Sequence, residues 1–222
     1  MLNDKDFLPT TLDECVISDV RSKDKLTKIV SSVIPFPAFG KCGIILHGPY
    51  GTGKTTLAEL IPALMEKARA GATAHAHYDM YCCAQAMNGA TLMNSIRAAT
   101  QYVSWNQSGL HYSVLDEVDN LTEAAQASLK AIMTGRHGIF IMTTNDITAL
   151  DKGVVNRSHV IHMMVAKPQD WLPLAKRVIA ACGAPVPPDA ALIPVIAACN
   201  GSGREISIAA VEVAIAATQD RV

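Results

Sequence analysis

Short apolar stretches alternate with segments of helical periodicity over most of the chain. The predicted strands are almost continuous in apolar residues and lie at 43–46, 76–80, 112–115, 139–143 and 160–163. Strands of this kind are typical of a parallel sheet that is covered by helices on both faces. The pattern therefore predicts an α/β fold with a five-stranded parallel sheet sandwiched by helices.

Helical patterns follow several of these strands. One helix is predicted over residues 54–69, and Pro62 within it could kink it, because proline removes a backbone donor. Another helix is predicted to begin after Thr122, whose side chain can cap it, and to end at Gly135.

The pattern becomes purely helical beyond Lys167 and Pro168. Predicted helices follow there at 171–182, 190–199 and 206–217, with apolar residues spaced for one buried face in the first of them. The sequence therefore predicts two domains, which are an α/β domain over residues 1–166 and a small helical domain over residues 167–222.

Composition excludes several classes of protein. Half of the residues are hydrophobic and 18% are charged, which is typical of a globular chain. The formal charge of −1 lacks the basic excess of a free-standing nucleic-acid binder, so contact with DNA would need a local patch or several subunits. The six cysteines contain no CxxC pair and indicate reduced, buried thiols. We expect a soluble, cytoplasmic protein without a signal peptide, a membrane span or a membrane partner.

The stretch HGPYGTGKTT has the spacing of a phosphate-binding loop and lies between a predicted strand and a predicted helix. Successive backbone N–H groups in such a loop face phosphate oxygens. Lys54 would reach the β- and γ-phosphates, and the Thr55 hydroxyl would ligate Mg²⁺. The predicted ATP-binding residues of this stretch are Gly48, Pro49, Tyr50, Gly51, Thr52, Gly53, Lys54, Thr55 and Thr56.

Acidic and polar side chains follow two further strands. In YSVLDEVD, Asp116 is placed to hold the Mg²⁺ shell, and Glu117 to orient and deprotonate a water molecule. A nucleotide kinase does not need such a glutamate, so hydrolysis is favoured over transfer to a small molecule. Asn145, after FIMTT, could bridge the attacking water and the γ-phosphate, although asparagine at a strand end also forms turns.

These motifs, in this order, resemble the AAA+ ATPases and, among them, the clamp-loader small subunits of the replication factor C type. The opening LPTTLDECV, the loop HGPYGTGKTTLA, the acidic motif LDEVDNLTEAAQASLKAIM and the sensor strand FIMTTN match most specifically. VVNRSHVIHM and GSGREIS are similar to the Ser-Arg-Cys box and the lid motif. The resemblance implies that residues 1–166 form the nucleotide-binding domain and residues 167–222 the lid.

The resemblance also implies roles for particular residues. Val16 and Ile17, at the end of the opening box, would cradle the adenine. Arg157 would act as an arginine finger that reaches the ATP of a neighbouring subunit, and Arg204 on the lid would contact the γ-phosphate of its own ATP. The alternatives are a surface arginine before a strand for Arg157 and a charge at a helix start for Arg204.

The implied assembly is a homo- or hetero-oligomeric ring or arc that acts on DNA or on a DNA-bound protein ring. Three features depart from the clamp-loader pattern. Asn156-Arg157-Ser158 replaces Ser-Arg-Cys, and no asparagine stands near Cys82 and Cys83, where the family carries a polar switch residue. The sequence also ends after the lid, so we expect another protein to supply the family's helical collar, or a compact, specialised relative.

Two alternative functions stay open at this point. One is an ATP-regulated oligomerisation module of the helicase-loader or transposition-regulator type, in which hydrolysis is a timer. The other, less favoured, is a P-loop kinase of a small molecule. Lys130 and Arg136 are candidates for contact with DNA, but two cations are little support for it. Tyr102, Trp105 and Tyr112 could stack on bases, but they fit packing of a helix end and a loop better.

Overall fold

The structure is a computed structural model that describes residues 7–83, 89–135 and 138–219. Its strands are β1 (Gly43–His47), β2 (Tyr78–Cys82), β3 (His111–Asp116), β4 (Gly138–Thr144) and β5 (Ser158–His162). Its α-helices are α1 (Val20–Val30), α2 (Lys54–Ala70), α3 (Gly89–Ala99), α4 (Glu123–Ile132), α5 (Lys152–Asn156), α6 (Leu172–Ala181), α7 (Asp189–Ala198) and α8 (Gly203–Gln219).

The five strands form one parallel sheet in the order β2-β3-β4-β1-β5. The prediction of a five-stranded parallel sheet between helices is therefore confirmed. In its register Leu115 of β3 lies opposite Met142 of β4, and His47 of β1 lies opposite Thr144. The residues that follow these three strands consequently meet at one edge of the sheet.

Helices cover both faces because the central strands carry apolar residues on both sides. One buried cluster joins Leu26 of α1 and Ile61 of α2 to Ile44 of β1. The other joins Ile96 of α3 and Leu129 of α4 to the opposite face of the sheet. These two helical layers hold the strands in place, and the carboxyl ends of β1, β3 and β4 therefore lie side by side.

The edge strand β2 departs from the expected pattern. It begins at Tyr78, two residues later than predicted, and the side chains of Tyr78 and Met80 are exposed. Cys82 is exposed as well. The prediction of buried thiols is confirmed for Cys42 and Cys83 and is wrong for the other four, because Cys15, Cys182 and Cys199 are only partly buried. Strand β2 is more exposed than the central strands because it lies at the edge of the sheet and pairs with β3 alone.

Three helices lie outside the predicted elements, namely α1, α3 and α5. Helix α1 reads VRSKDKLTKIV and contains few apolar residues, but Asp19 caps its first turn by accepting from the N–H groups of Arg21 and Ser22. Helix α4 begins after the Thr122 cap as predicted, and α2 continues through Pro62. No helix in the described part of the chain has both the length and the apolar character of a membrane span.

The three lid helices form a separate cluster. Val178 and Ile179 of α6 are fully buried against α7 and α8, as the helical face in the sequence predicts. Trp171, at the end of a short 3₁₀ helix over Pro168–Trp171, is buried in the same cluster. Phe7 and Val16 from the start of the chain pack against it. The boundary between the domains 1–166 and 167–222 stays a prediction.

A buried carboxylate fixes the loop between α3 and β3 to helix α2. Glu66 is fully buried and accepts from the Tyr112 hydroxyl at 2.7 Å and from the Ser108 hydroxyl. Tyr112 is therefore a core residue, which excludes it from base stacking. Tyr102 and Trp105 in the same loop are 75% and 87% exposed, so the expectation that they are packed is wrong for these two side chains.

The Glu66 network predicts a stability difference between two tyrosines. Tyr112→Phe removes a donor from a fully buried carboxylate and should lower the free energy of unfolding by about 1–3 kcal/mol. Tyr102→Phe, the matched control, removes a hydroxyl from a side chain that is 75% exposed. It should change stability by less than about 0.5 kcal/mol. Urea unfolding checks both values, and equal stabilities would contradict the assigned role of the network.

Candidate active site

A cavity of about 700 Å³ lies between the strand ends of the sheet, the start of the chain and the lid. Its lining includes most of the predicted site residues, which are Val16, Tyr50, Gly51, Thr52, Gly53, Lys54, Thr55, Thr56, Asp116, Glu117, Asn145 and Arg204. Gly48 and Pro49 are not part of the lining, but their carbonyl oxygens accept from Lys54, which is. Ile17 is buried in the core beneath the sheet and does not line the cavity.

The phosphate-loop sequence closes around its own lysine. The Lys54 ammonium is 2.8 Å from the carbonyl oxygen of Gly48, 2.7 Å from that of Pro49 and 2.8 Å from Oδ1 of Asn145. Burial lowers the pKa of Lys54, while the nearby charge of Asp116 acts in the opposite direction. The lysine thus presents a positive charge to the cavity with three oxygen atoms holding it in place.

Two glycines of the loop are required by its geometry. A β-carbon at Gly48 would lie 2.0 Å from the carbonyl oxygen of Met163, so only glycine allows the loop to pass the end of β5. Gly53, which precedes helix α2, has φ of +84°, a left-handed conformation that favours glycine. The first N–H groups of α2 are therefore directed towards the cavity, as a phosphate site requires.

Two strands and one helix bring a second set of oxygen atoms together. The Thr55 hydroxyl of α2 donates to Asp116 Oδ1 at 2.8 Å, and the Thr143 hydroxyl of β4 donates to the same oxygen at 2.6 Å. Hydroxyl and carboxylate oxygens are the ligands that Mg²⁺ prefers in proteins. Thr55 and Asp116 therefore fit the magnesium role predicted for them.

Glu117 follows Asp116 in a left-handed conformation, with φ of +57°. Its backbone N–H donates to the Thr143 hydroxyl at 2.9 Å, and its carboxylate oxygen Oε2 accepts from Asn120 Nδ2 at 3.2 Å. Glu117 and Asn145 both line the cavity. Glu117 therefore adds a second acidic residue to the cavity wall, next to Asp116.

The expected switch position is occupied by two cysteines in the structure. The N–H of Cys83 donates to the Asp116 carbonyl at 2.9 Å, and burial raises the pKa of the Cys83 thiol to about 12. Cys83 therefore fixes the backbone next to the acidic pair and stays a neutral thiol. The amide that contacts the Glu117 carboxylate comes from Asn120 instead, only three residues along the chain.

The lid contributes one wall of the cavity. Its helix α8 begins with Gly203, whose N–H donates to the Gly51 carbonyl at 2.8 Å, and Arg204 is exposed at the cavity wall. From α6, Arg177 donates to the Phe7 carbonyl at 3.2 Å. The lid is thus bonded both to the phosphate loop and to the start of the chain.

Among the predicted catalytic residues, Arg157 is the one that does not line the cavity. It follows α5 and donates from Nη1 to the Gly153 carbonyl at 3.1 Å. It immediately precedes β5, so it lies at the amino ends of the parallel strands, whereas the phosphate loop follows the carboxyl end of β1. A strand of this length spans roughly 16 Å, which keeps the Arg157 guanidinium out of its own nucleotide site.

Sequence reasoning did not select Thr143, Asn120, Trp171 or Arg177. Thr143 could have been found as a hydroxyl near the end of an apolar strand whose neighbour ends in Asp116. The lid residues depend on how α6 packs against the start of the chain, which no local pattern records. Of the DNA candidates, Lys130 is paired with Asp151 at 2.9 Å, and Arg136 lies outside the described residues.

Comparison with known proteins identifies the family. A family model described as "ATPase family associated with various cellular activities (AAA)" matches residues 44–165, more than half of the chain. The chain belongs to the AAA family of ATPases. No relative was found among proteins of curated function.

Solved structures of other proteins show the same fold. Thermotoga maritima RuvB, described as a Holliday junction branch migration motor, is 18% identical, with a TM-score of 0.66 over 91% of this chain and 63% of that one. A mutant form of the same RuvB gives a TM-score of 0.73 at 17% identity, over 97% and 68% of the two chains. The FIGL-1 AAA domain in complex with ADP gives 0.66 at 17% identity, over 92% and 73%.

At these identities the likeness extends to the fold alone. The AAA chain described here spans 63% of the length of several RuvB structures that it matches.

The contacts of Lys54 predict a specific loss of nucleotide binding. Lys54→Ala removes the ammonium that faces the cavity and should weaken ADP and ATP binding by at least about ten-fold, because charge-assisted contacts with phosphate are strong. Lys67→Ala is the matched control, since Lys67 is an exposed lysine of the same helix. Titration with a fluorescent nucleotide measures both. An unchanged affinity in Lys54→Ala would contradict the assigned phosphate site.

Proposed function

We propose that this AAA protein hydrolyses ATP, with Mg²⁺, at the interfaces of a homo- or hetero-oligomeric ring or arc. In this proposal the assembly has a clamp-loader-like role, or another role in DNA replication or in a mobile element, and remodels DNA or a DNA-bound protein ring. The observation that carries the ATPase part is the convergence of five side chains at one end of the cavity, which are Lys54, Thr55, Asp116, Glu117 and Asn145.

The cavity favours one orientation of the nucleotide. The loop and the first turn of α2 offer backbone N–H groups and the Lys54 ammonium to the phosphates. The opposite wall, with Val16, Phe7 and Trp171, is apolar and suits a planar base. Ile17 belongs to the core cluster of the sheet and does not line the cavity, so in this proposal it would not touch the base directly. The triphosphate would therefore point towards Asp116 and Glu117.

The side chains around the γ-phosphate divide the chemistry between them. Glu117 would accept the proton of the attacking water, because its carboxylate is the acidic group placed beside the cavity after Asp116. Asn145 would orient that water with its amide while its Oδ1 keeps Lys54 in position. Arg204 would place positive charge near the γ-phosphate from the lid. Mg²⁺, held through Thr55 and Asp116, would offset the negative charge of the phosphates.

The position of Arg157 favours a role in the active site of a neighbouring subunit over a role in its own. Its position at the far edge of the sheet leaves it unable to approach the cavity of its own chain. Part of its side chain is accessible at the surface, where a neighbouring copy or a related subunit could receive it. A guanidinium offers fixed donors to phosphate oxygens in the transition state, and one supplied by a neighbour is worth about 10³–10⁵ in rate.

Two lines of support bear on the partner. The sequence motifs resemble those of clamp-loader small subunits, which implies DNA or a DNA-bound protein ring. The structural neighbour RuvB is described as a branch migration motor of Holliday junctions. The formal charge of −1 in a single chain makes a continuous DNA-binding surface depend on the assembly.

Sharing of sites between subunits predicts an intersubunit rescue. Arg157→Ala should lower the ATP turnover number at least about 1,000-fold and leave ATP affinity close to wild type, because the arginine acts on the transition state. Glu117→Gln should also be inactive. Mixing the two inactive proteins should restore part of the activity, since an intact Glu117 site can receive Arg157 from the other variant.

The control for this experiment is Arg97→Ala, which removes an exposed arginine of α3 and should keep wild-type turnover. Absence of rescue, together with wild-type activity that is strictly linear in protein concentration, would contradict the shared site and indicate a self-sufficient protomer.

Steady-state ATP hydrolysis, measured with and without DNA, tests whether this ATPase remodels DNA. A remodelling ATPase should be stimulated several-fold by DNA. A nucleotide-timed oligomerisation module should hydrolyse at the same rate in both cases while ATP changes its oligomeric state. A small-molecule kinase would form ADP only with an added hydroxyl acceptor and would tolerate Glu117→Gln; either of these two outcomes would contradict the remodelling role.

A further inference from the structure

Thr143 connects the two acidic residues of the site although it belongs to a different strand. It is the penultimate residue of β4 and is 1% exposed, with its side chain at the cavity wall. Its hydroxyl accepts from the Glu117 N–H at 2.9 Å and donates to Asp116 Oδ1 at 2.6 Å.

The two bonds define the direction of the Thr143 hydroxyl. A hydroxyl has one hydrogen to donate, and the amide of Glu117 can only donate, so the hydrogen of Thr143 is directed at Asp116. Asp116 Oδ1 receives a second hydroxyl, that of Thr55, at 2.8 Å. The carboxylate is therefore held from β4 on one side and from α2 on the other.

The bond to the Glu117 amide also bears on backbone conformation. Glu117 has φ of +57°, and a residue with a side chain is held there only when its surroundings compensate for an unfavourable backbone energy of order 1–3 kcal/mol. Thr143 supplies a buried acceptor for the amide in that conformation. The direction in which the Glu117 side chain leaves the strand consequently depends on this hydroxyl.

We propose that Thr143 is a positioning residue for both acidic groups of the site: its hydroxyl orients the Asp116 carboxylate towards the Thr55 magnesium ligand and holds the Glu117 backbone so that its carboxylate meets the attacking water. The inference rests on the proposed ATPase function. Thr143 itself touches neither water nor phosphate in this scheme and acts through its two neighbours.

The adjacent Thr144 provides a matched control. It is also fully buried on β4, but its side chain points to the other face of the sheet and accepts from the Asp146 N–H at 3.0 Å. Thr144→Val and Thr143→Val each remove one buried hydroxyl from β4 and keep the shape of the side chain. They should lower the melting temperature to a similar extent, so a difference in magnesium response separates positioning from packing.

The experiment compares wild type, Thr143→Val, Thr143→Ser and Thr144→Val. The first readout is ADP affinity with Mg²⁺ and with EDTA, measured by titration calorimetry. We expect Thr143→Val to keep the affinity in EDTA and to lose most of the gain that Mg²⁺ gives, and Thr143→Ser to retain that gain. The second readout is hydrolysis, where Thr143→Val should lose at least about ten-fold in kcat, the effect of one hydrogen bond to a charged group, with KM changed far less.

The change in ADP affinity that Mg²⁺ causes tests the positioning role of Thr143. An undiminished magnesium gain in a folded Thr143→Val protein, or an equal loss of that gain in Thr144→Val, overturns the positioning role. If Thr143→Val does not fold, Thr143→Ser against Thr143→Ala provides the same comparison, and failure of serine to exceed alanine overturns it. A wild-type protein that shows no magnesium gain and no hydrolysis contradicts the proposed function instead.

Discussion

A buried ammonium group is the constraint around which the site is organised. Lys54 is 8% exposed, and burial of its charge is tolerated because three oxygen atoms, two from the phosphate loop and one from Asn145, surround it. These oxygen atoms can surround Lys54 only if the loop curls tightly beside β5 and if β4 ends next to β1. The glycines of the loop, the strand order and the placement of Asn145 are therefore parts of one electrostatic arrangement.

The same arrangement explains why local sequence predicted so much of this site. Phosphate loops and strand-end acids are short motifs whose geometry follows from the two or three elements that flank them. Lys54, Thr55, Asp116 and Asn145 were found in that way, and the parallel sheet brought them to one edge. Thr143 was not found, because its role depends on the register between β3 and β4 and on the left-handed turn at Glu117, which the sequence records only indirectly.

Other differences have the same physical origin. Helix α1 has few apolar residues and depends on the Asp19 cap, but Leu26, Ile29 and Val30 are buried and have helical spacing, so the sequence does contain a signal for this helix. Strand β2 was predicted from its composition, but composition does not reveal that it would occupy the edge of the sheet. Tyr102 and Trp105 are exposed although their loop is held by hydrogen bonds of Ser108 and Tyr112 to Glu66, and the sequence does not distinguish these aromatic residues from the buried Tyr112.

The hydrogen bond between Gly203 and Gly51 gives the lid a defined pivot. It joins the first residue of α8 to the middle of the phosphate loop, and a β-carbon on Gly51 would lie 2.8 Å from the Ser202 hydroxyl oxygen. A rotation of the lid that kept this hydrogen bond would also move the Gly51 carbonyl, so the position of α8 and the conformation of the phosphate loop are linked through one peptide group.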